Sequence, residues 1–396
     1  MTDDPPPEPD CLEGALHPRV TPKLYGQDTA EQTFLTAFDA GRVHHAWLIA
    51  GPQGVGKATL AWRIARFLLA TPTDHQADGL FGAPDPVTSL DIAPDHPVAR
   101  RMVALSEPRL FLLRRPWDDK AKRLKQEITI DEARKLKGFF ALSAAEGGRR
   151  VVIVDSADEL NGAAANAILK LLEEPPAQTV LLLISNQPSR LLPTIRSRCR
   201  ILQCTSLSPD DLTAALAQQD VDARSDTSTV SALAGGSVGA AMALISQDGV
   251  ALYQRLAALM ATMPKLNRPD AIALADWAGS RSADGRFSLA LDLIDLFLCR
   301  LARAGVSGPP MPPAVAGEDA TLQRLSPDLR AARGWAALQQ TLGAEGRHAM
   351  AVNLDPSAVI LDMVLRINGA AQDLAAPERH RPHDPSPATG RQPLSS

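Results

Sequence analysis

The sequence predicts an α/β fold, a parallel sheet covered by helices on both faces, followed by a second half built from helices alone. Three observations lead there. Short runs apolar at every position (46–50, 151–154 and 180–184) alternate with segments of helical spacing, the pattern of strands buried on both faces. The first run enters a glycine-rich loop, GPQGVGK from Gly51 to Lys57, and the loop opens a helix, ATLAWRIARFLLA. Beyond Cys204 the β-type runs cease, and helical spacing continues to about residue 370.

The elements follow in order. Residues 29–40 have helical spacing and stop at Gly41, a residue suited to a left-handed C-terminal cap. Strand 46–50, the glycine loop and the helix after Lys57 come next. Residues 71–127, rich in proline and aspartate, read as an irregular insertion with one or two short helices. Ile130-Asp131 reads as a strand end and helix cap, 132–145 as a helix, and Gly147-Gly148 as a turn. Strand 151–154 ends at Asp155, and a helix over about 162–174 is stopped by Pro175-Pro176. Strand 180–184 precedes the polar pair Ser185-Asn186, and Cys199 and Cys204 flank the end of an apolar strand. Ser208 before Pro209 marks a helix start. The helical second half is interrupted near 220–228, 264–269 and 306–320.

At 396 residues the chain exceeds what one core usually serves, so two or three domains are expected. With 45% apolar and 22% charged residues, it has the composition of a soluble globular protein. The four cysteines form no C-x2-C pair, which excludes a disulfide framework or a cysteine zinc module; His44-His45 has no partner at zinc-like spacing. The start, MTDDPPPEPD, lacks the basic and apolar regions of a signal peptide, so the cytoplasm is the expected location. The longest apolar segment, 287–305, is broken by Asp292, Asp295 and Arg300 and reads as a buried amphipathic helix, which implies no membrane. Against a net charge of −4, residues 100–150 hold fourteen Lys/Arg and seven Asp/Glu. That local excess has two readings, a surface near nucleic-acid phosphate or a solvated helix face.

The loop fits the P-loop pattern at Gly51, Gly56 and Lys57, with Gly54 between them. Its backbone N–H groups can wrap phosphates at a helix N-terminus, and the lysine neutralises their oxygens. The hydroxyl residue that would hold Mg²⁺ is replaced by Ala58, and Thr59, about 100° further round the helix, does not simply substitute. Strand VVIVD has the form of a Walker B element ending in Asp155. Ser156 stands where a water-orienting glutamate is needed, while Asp158 and Glu159 read as capping and solvated residues.

The run NGAAANAILKLLEEPPAQTVLLLISNQPSRLLPTIRSRC, residues 161–199, resembles the clamp-loader branch of the AAA+ proteins. Leu172-Glu173-Glu174-Pro175-Pro176, the sensor 1 pair Ser185-Asn186 and Ser197-Arg198-Cys199 carry the likeness. Upstream, Tyr25-Gly26-Gln27 resembles the adenine-side box. The resemblance covers about residues 20–245. It implies an AAA+ P-loop domain over 19–204 including the 71–127 insertion, a small helical lid domain over 205–245, and a helical collar over 246–372 that serves oligomerisation. Residues 1–18 and 373–396 are expected to be disordered tails.

In this family the S-R-C arginine acts in trans on ATP held by a neighbour, a role that would fall to Arg198. Tyr25, Gly51, Gly54, Gly56, Lys57, Ala58, Thr59, Asp155 and Asn186 would form the chain's own nucleotide site, possessed of a cradle but missing parts. Sensor 2 lacks its arginine as well: Gly236-Ser237 is followed by Val238. ATP is therefore expected to bind weakly or vestigially, the place of Mg²⁺ stays open, and no zinc or other metal ligand set is expected. The implied role is a largely non-hydrolysing subunit of the bacterial DNA polymerase III clamp loader, part of a nucleotidyltransferase complex. Its implied partners are gamma/tau motors and delta in a hetero-pentamer, with the sliding clamp and primer-template DNA reached through the complex. Two other readings stand beside it: an active motor ATPase completed by Thr59 and Asp158, and a DNA-binding factor that uses the fold for binding alone.

Overall fold

The computed structural model describes residues 8–11, 14–72, 87–142, 148–219, 227–280 and 285–375. The chain divides into two compact units, Met1–Val250 and Ala251–Ser396.

In chain order the first unit holds α1 (Asp28–Asp39), β1 (Ala46–Ala50), α2 (Lys57–Ala70), α3 (Pro97–Val103), β2 (Leu110–Arg114), β3 (Trp117–Asp118), β4 (Arg123–Leu124) and α4 (Ile130–Leu142). It continues with β5 (Arg150–Asp155), α5 (Gly162–Glu173), β6 (Thr179–Ser185), α6 (Pro193–Arg196), β7 (Arg200–Gln203), α7 (Pro209–Ala217), α8 (Thr227–Ala234) and α9 (Val238–Ser246). Five strands form one sheet in the order β2-β5-β6-β1-β7, every pairing parallel. The central strands β1 and β6 are buried throughout, which explains their unbroken apolar sequence. Leu48, Val152 and Leu183 from the sheet pack with Ile168 and Leu172 of α5 in one core. This is the α/β P-loop architecture that the alternating pattern predicts.

The 71–127 region departs from expectation. It supplies β2, an integral edge strand registered against β5 from Leu110↔Val151 to Arg114↔Asp155, and a two-stranded antiparallel ribbon, β3–β4. Residues 73–86 of that region lie outside the described residues. The strand's apolar run, Leu110 to Leu113, sits close to Pro108 and Pro116 and is only partly buried. A short run of that kind carries too little periodicity to be told from a loop or helix. Ile130 is also helical and not a strand end; the pairing nearby is an isolated bridge from Ile128 to Leu160.

The N-terminal segment is engaged from Glu8 onward, contrary to a tail reaching residue 18; residues 1–7 lie outside the described residues. His17 packs edge-on against Trp62 of α2, with ring centroids 5.9 Å apart, and Arg114 reaches Asp10 at 2.7 Å.

Helices α7 to α9 close the first unit. Ser208 caps α7 by accepting from the Asp211 N–H at 3.1 Å, with Pro209 in the first turn, as the sequence predicts.

The second unit is all helical: α10 (Gly249–Thr262), α11 (Arg268–Ala278), α12 (Arg286–Ser307), α13 (Glu318–Leu325), α14 (Leu329–Ala351) and α15 (Pro356–Ala375). Phe297, Leu301 and Trp335 are fully buried, and the Trp335 indole donates to Leu325 O at 2.9 Å. A buried ion pair holds the approach to α13. Arg300 engages Glu318 through Nε at 2.7 Å and Nη2 at 2.9 Å, while the Tyr253 hydroxyl at 2.5 Å and the Ala314 N–H at 2.7 Å donate to the same carboxylate. No helix among the described residues is long and apolar enough to cross a membrane. The tail expected from residue 373 lies outside the described residues from 376 onward.

Candidate functional site

Parallel strands bring their C-terminal ends to one edge of a sheet, where open α/β folds bind ligands. That edge gathers Gly51 after β1, Asp155 at the end of β5, Ser185-Asn186 at the end of β6 and Cys204 after β7. The sequence-predicted residues Gly51, Gly54, Gly56, Lys57, Ala58, Thr59, Asp155 and Asn186 therefore share one edge. Tyr25 lies before α1, half-buried, with the Lys23 ammonium 4.9 Å from its ring centre.

The loop itself is held by the start of α9. Ser237 donates its hydroxyl to Gln53 O at 2.9 Å, and the Gly239 N–H donates to Gly54 O at 3.1 Å. Approach is so close that a Cβ on Gly54 would lie 2.3 Å from Ser237 Oγ, and Gly54 also has φ +76°, so two independent constraints demand glycine there. Ser237 has a second task, capping α9 by accepting from the Ala240 N–H at 3.1 Å. Ser237 and Gly239 thus form a structural clasp on the loop, and Val238 between them has no cation to offer.

Lys57 is buried, and its ammonium donates to Pro52 O within its own loop. Burial lowers its pKa, opposed by the nearby Cys204, Asp158 and Asp155. The carboxyl of Asp155 is pushed up to about 7, first by burial and then by the charge of Asp10. Ser156 donates to Asp155 Oδ1 at 3.2 Å. Asp158 uses Oδ2 to accept from the backbone N–H groups of Asn186 and Gln187, at 2.9 and 3.3 Å, which fixes the sensor 1 turn. Its Oδ1 is buried with no hydrogen-bond partner among the described residues. Glu159 pairs with Arg115 at 2.9 Å.

Beside Asp155 stands a cluster of Glu8, Asp10 and His17, whose possible ligand atoms lie within 4.8 Å of one another. Its hydrogen bonding argues against a metal role. His17 Nδ1 accepts from the Arg19 N–H at 3.1 Å, so the ring proton belongs on Nε2, which faces Glu8 at 2.5 Å and Asp10 at 3.3 Å. Arg19 and Arg114 complete the charge balance.

Arg198 stands at the other edge. It lies in the short link between α6 and β7, and Arg200, two residues on, is registered against Trp47 near the start of β1. From Trp47 to Gly51 the sheet rises about 13 Å at ~3.3 Å per residue, and Arg198 lies further back still. The structure therefore places Arg198 apart from the eight expected site residues that share the P-loop edge. Arg198 Nη2 lies 2.9 Å from Glu173 Oε1, and its Nη1 donates to Thr194 O at 3.1 Å. Arg200 packs over Trp47 at 5.2 Å, and Arg196 is exposed.

Gln27, which follows Tyr25-Gly26 and stands outside the expected site residues, also bears on the loop. Gln27 is buried and joins the segment before α1 to both the P-loop and the exit from β7. Its Nε2 donates to Val55 O at 3.0 Å and Thr205 O at 2.8 Å, and its Oε1 accepts from the Thr205 N–H at 3.1 Å. A polar residue fixed between Gly26 and a helix start was the available signal. Cys199 and Cys204 have thiols that burial pushes up to about 12 and about 11, so neither is a ready thiolate.

Residues 26–208 match the family model described as DNA polymerase III, delta subunit. The chain is 41% identical to the DNA polymerase III subunit delta′ of Pseudomonas aeruginosa over 157 residues, 39% of this chain and 41% of that protein. It is 32% identical to the delta′ subunit of Escherichia coli over 219 residues, 55% of this chain and 59% of that protein. The gamma/tau subunit of Mycobacterium tuberculosis is 30% identical over 210 residues, 52% of this chain and 32% of that protein. The chain thus spans about half the length of the delta′ relatives it matches.

Proposed function

We propose that this chain, which matches the DNA polymerase III, delta subunit family model over residues 26–208 and is similar to delta′ subunits, is a clamp-loader subunit that hydrolyses little or no ATP itself and supplies Arg198 to the ATP site of a neighbour. The observation that carries the reading is the separation of Arg198 from Lys57 and Asp155 by the height of the sheet. An arginine so placed acts on its own site only through a large rearrangement. It acts on an adjoining subunit by docking. A permanently charged, planar guanidinium suits a phosphoryl group as negative charge develops on its oxygens.

The chain's own site supports the other half of the proposal. The donors of a phosphate cradle are present in the loop and Lys57, so an adenine nucleotide can be held. The partners for Mg²⁺ are reduced, since Ala58 has no side-chain oxygen and Asp155 is a half-buried carboxyl with a raised pKa. Were Mg²⁺ bound, it would supply charge neutralisation at the β and γ oxygens, with Asp155 as its acidic partner. Lys57 would orient the phosphates, once released from Pro52 O, and Asp158 would keep the Asn186 turn in place. The clasp by Ser237 and Gly239 holds the lid against the loop. In this role the partners are gamma/tau motors and delta, and sliding-clamp loading onto primed DNA is the work of the assembly.

A motor reading is the alternative, supported by the gamma/tau matches and by the free Oδ1 of Asp158. ATP hydrolysis by the purified chain, with and without Mg²⁺, separates the two. The proposal expects turnover at background level. Magnesium-dependent turnover at the level of a motor subunit, abolished by Lys57→Ala, would favour the motor.

A further inference from the structure

We propose that Glu173 is a positioning residue for Arg198, an inference that rests on the reading of Arg198 as a residue aimed at a neighbour's nucleotide. The two side chains are 25 positions apart in sequence and meet at the edge of the sheet opposite the P-loop, Nη2 to Oε1 at 2.9 Å. Glu173 is the last residue of α5, and Pro175-Pro176 stop the helix just beyond it, so its carboxylate stands on a rigid support. The second tether, Nη1 to Thr194 O at 3.1 Å, comes from α6 one turn before Arg198. Two anchors on two separate elements fix the plane of the guanidinium.

The anchors leave the group able to act. A guanidinium carries five N–H donors, of which these contacts engage two, and three remain for phosphate oxygens. The pair is also open to solvent, with Arg198 37% and Glu173 44% exposed, which puts it among the weak, screened ion pairs. A pair of that strength biases the rotamers of a long, flexible side chain, and it yields readily to a polyphosphate. Glu173 therefore orients Arg198 before docking and does not lock it away. The nearest other acid on the helix end, Glu174, is the C-cap, and the Arg198 contacts involve Glu173 and Thr194.

The test uses full-length chain assembled with the other loader subunits, in steady-state ATP hydrolysis with saturating clamp and primed DNA. Glu173→Ala is expected to lower kcat about three- to tenfold and leave the KM for ATP unchanged, because the nucleotide is bound by the neighbour. Glu173→Asp should recover part of the loss. In an Arg198→Ala background, adding Glu173→Ala should change nothing further, since the carboxylate acts only through that arginine. Size-exclusion and thermal unfolding of each variant establish that assembly and folding are intact. A rate that is unchanged or raised by Glu173→Ala, or a further loss of the same size in the Arg198→Ala background, overturns the inference. If Arg198→Ala alone leaves the rate unchanged, the trans-acting role falls and this inference with it. A normal Arg198→Ala loss beside a silent Glu173→Ala overturns the positioning role only.

Discussion

The Gly239 N–H donates to the Gly54 carbonyl at 3.1 Å, so the first turn of α9 is joined to the glycine loop through backbone groups. With the Ser237 hydroxyl on Gln53 O, the contact clasps the helix to the loop.

The clasp has a measurable stability. Ser237→Ala removes the bond to Gln53 and the cap of α9 together, and should cost about 1–2 kcal/mol. Gly54→Ala should cost at least as much, since its Cβ meets Ser237 Oγ at 2.3 Å and its φ is +76°. Urea titration followed by a probe in the first unit, such as Trp47 or Trp62 fluorescence, reads both. An unchanged midpoint for Ser237→Ala would mean that the lid is held elsewhere.

Asp155 makes the first unit sensitive to pH in a defined direction. Its pKa rises from an ordinary 3.8 to about 7 in the folded chain, so the native state holds a proton that the unfolded state has released between those values. The stability associated with this group is full below about pH 4 and is lost as pH rises through 7. The loss is on the order of a few kcal/mol. Asp155→Asn should be more stable than the parent above pH 7 and should show a flatter profile from pH 4 to 7. Parallel profiles for the two proteins would contradict the assignment.

In the second unit, the single carboxylate of Glu318 answers Arg300, Tyr253 and the Ala314 N–H. Glu318→Ala leaves a buried guanidinium without a counter-charge and should cost about 3–5 kcal/mol. Tyr253→Phe removes one hydrogen bond and should cost about 1–2 kcal/mol. Chemical denaturation monitored through Trp335 distinguishes them; equal losses would mean that the ion pair is not the anchor of this loop.

Much of this was legible in the sequence for local reasons. Strand, loop and helix around Lys57 are contiguous, and the buried strands β1, β5 and β6 announce themselves by apolar runs that central positions in a parallel sheet require. Strand β2 was not legible, because an edge strand with one partner tolerates partial exposure and the flanking prolines and charges resemble a loop. The engagement of Glu8 and Asp10 with Arg114 was hidden for another reason: acids and prolines near a terminus have the composition of disorder, and only folding brings a counter-charge from β2. Within the site, each residue type could be recognised from its motif, but contacts could not. The pairing of Glu173 with Arg198, the use of Asp158 to hold Asn186, and the clasp from Ser237 are all products of tertiary packing.

In the proposed role this chain completes a neighbour's site and not its own. That role is tested most directly by the ATPase rate of the assembled loader carrying either Arg198→Ala or Lys57→Ala in this chain alone. The account predicts that Arg198→Ala abolishes turnover at the adjoining site, an effect of about 10³-fold or more on that site for a finger of this kind, while Lys57→Ala leaves the rate unchanged. A loader slowed by Lys57→Ala and indifferent to Arg198→Ala would contradict it.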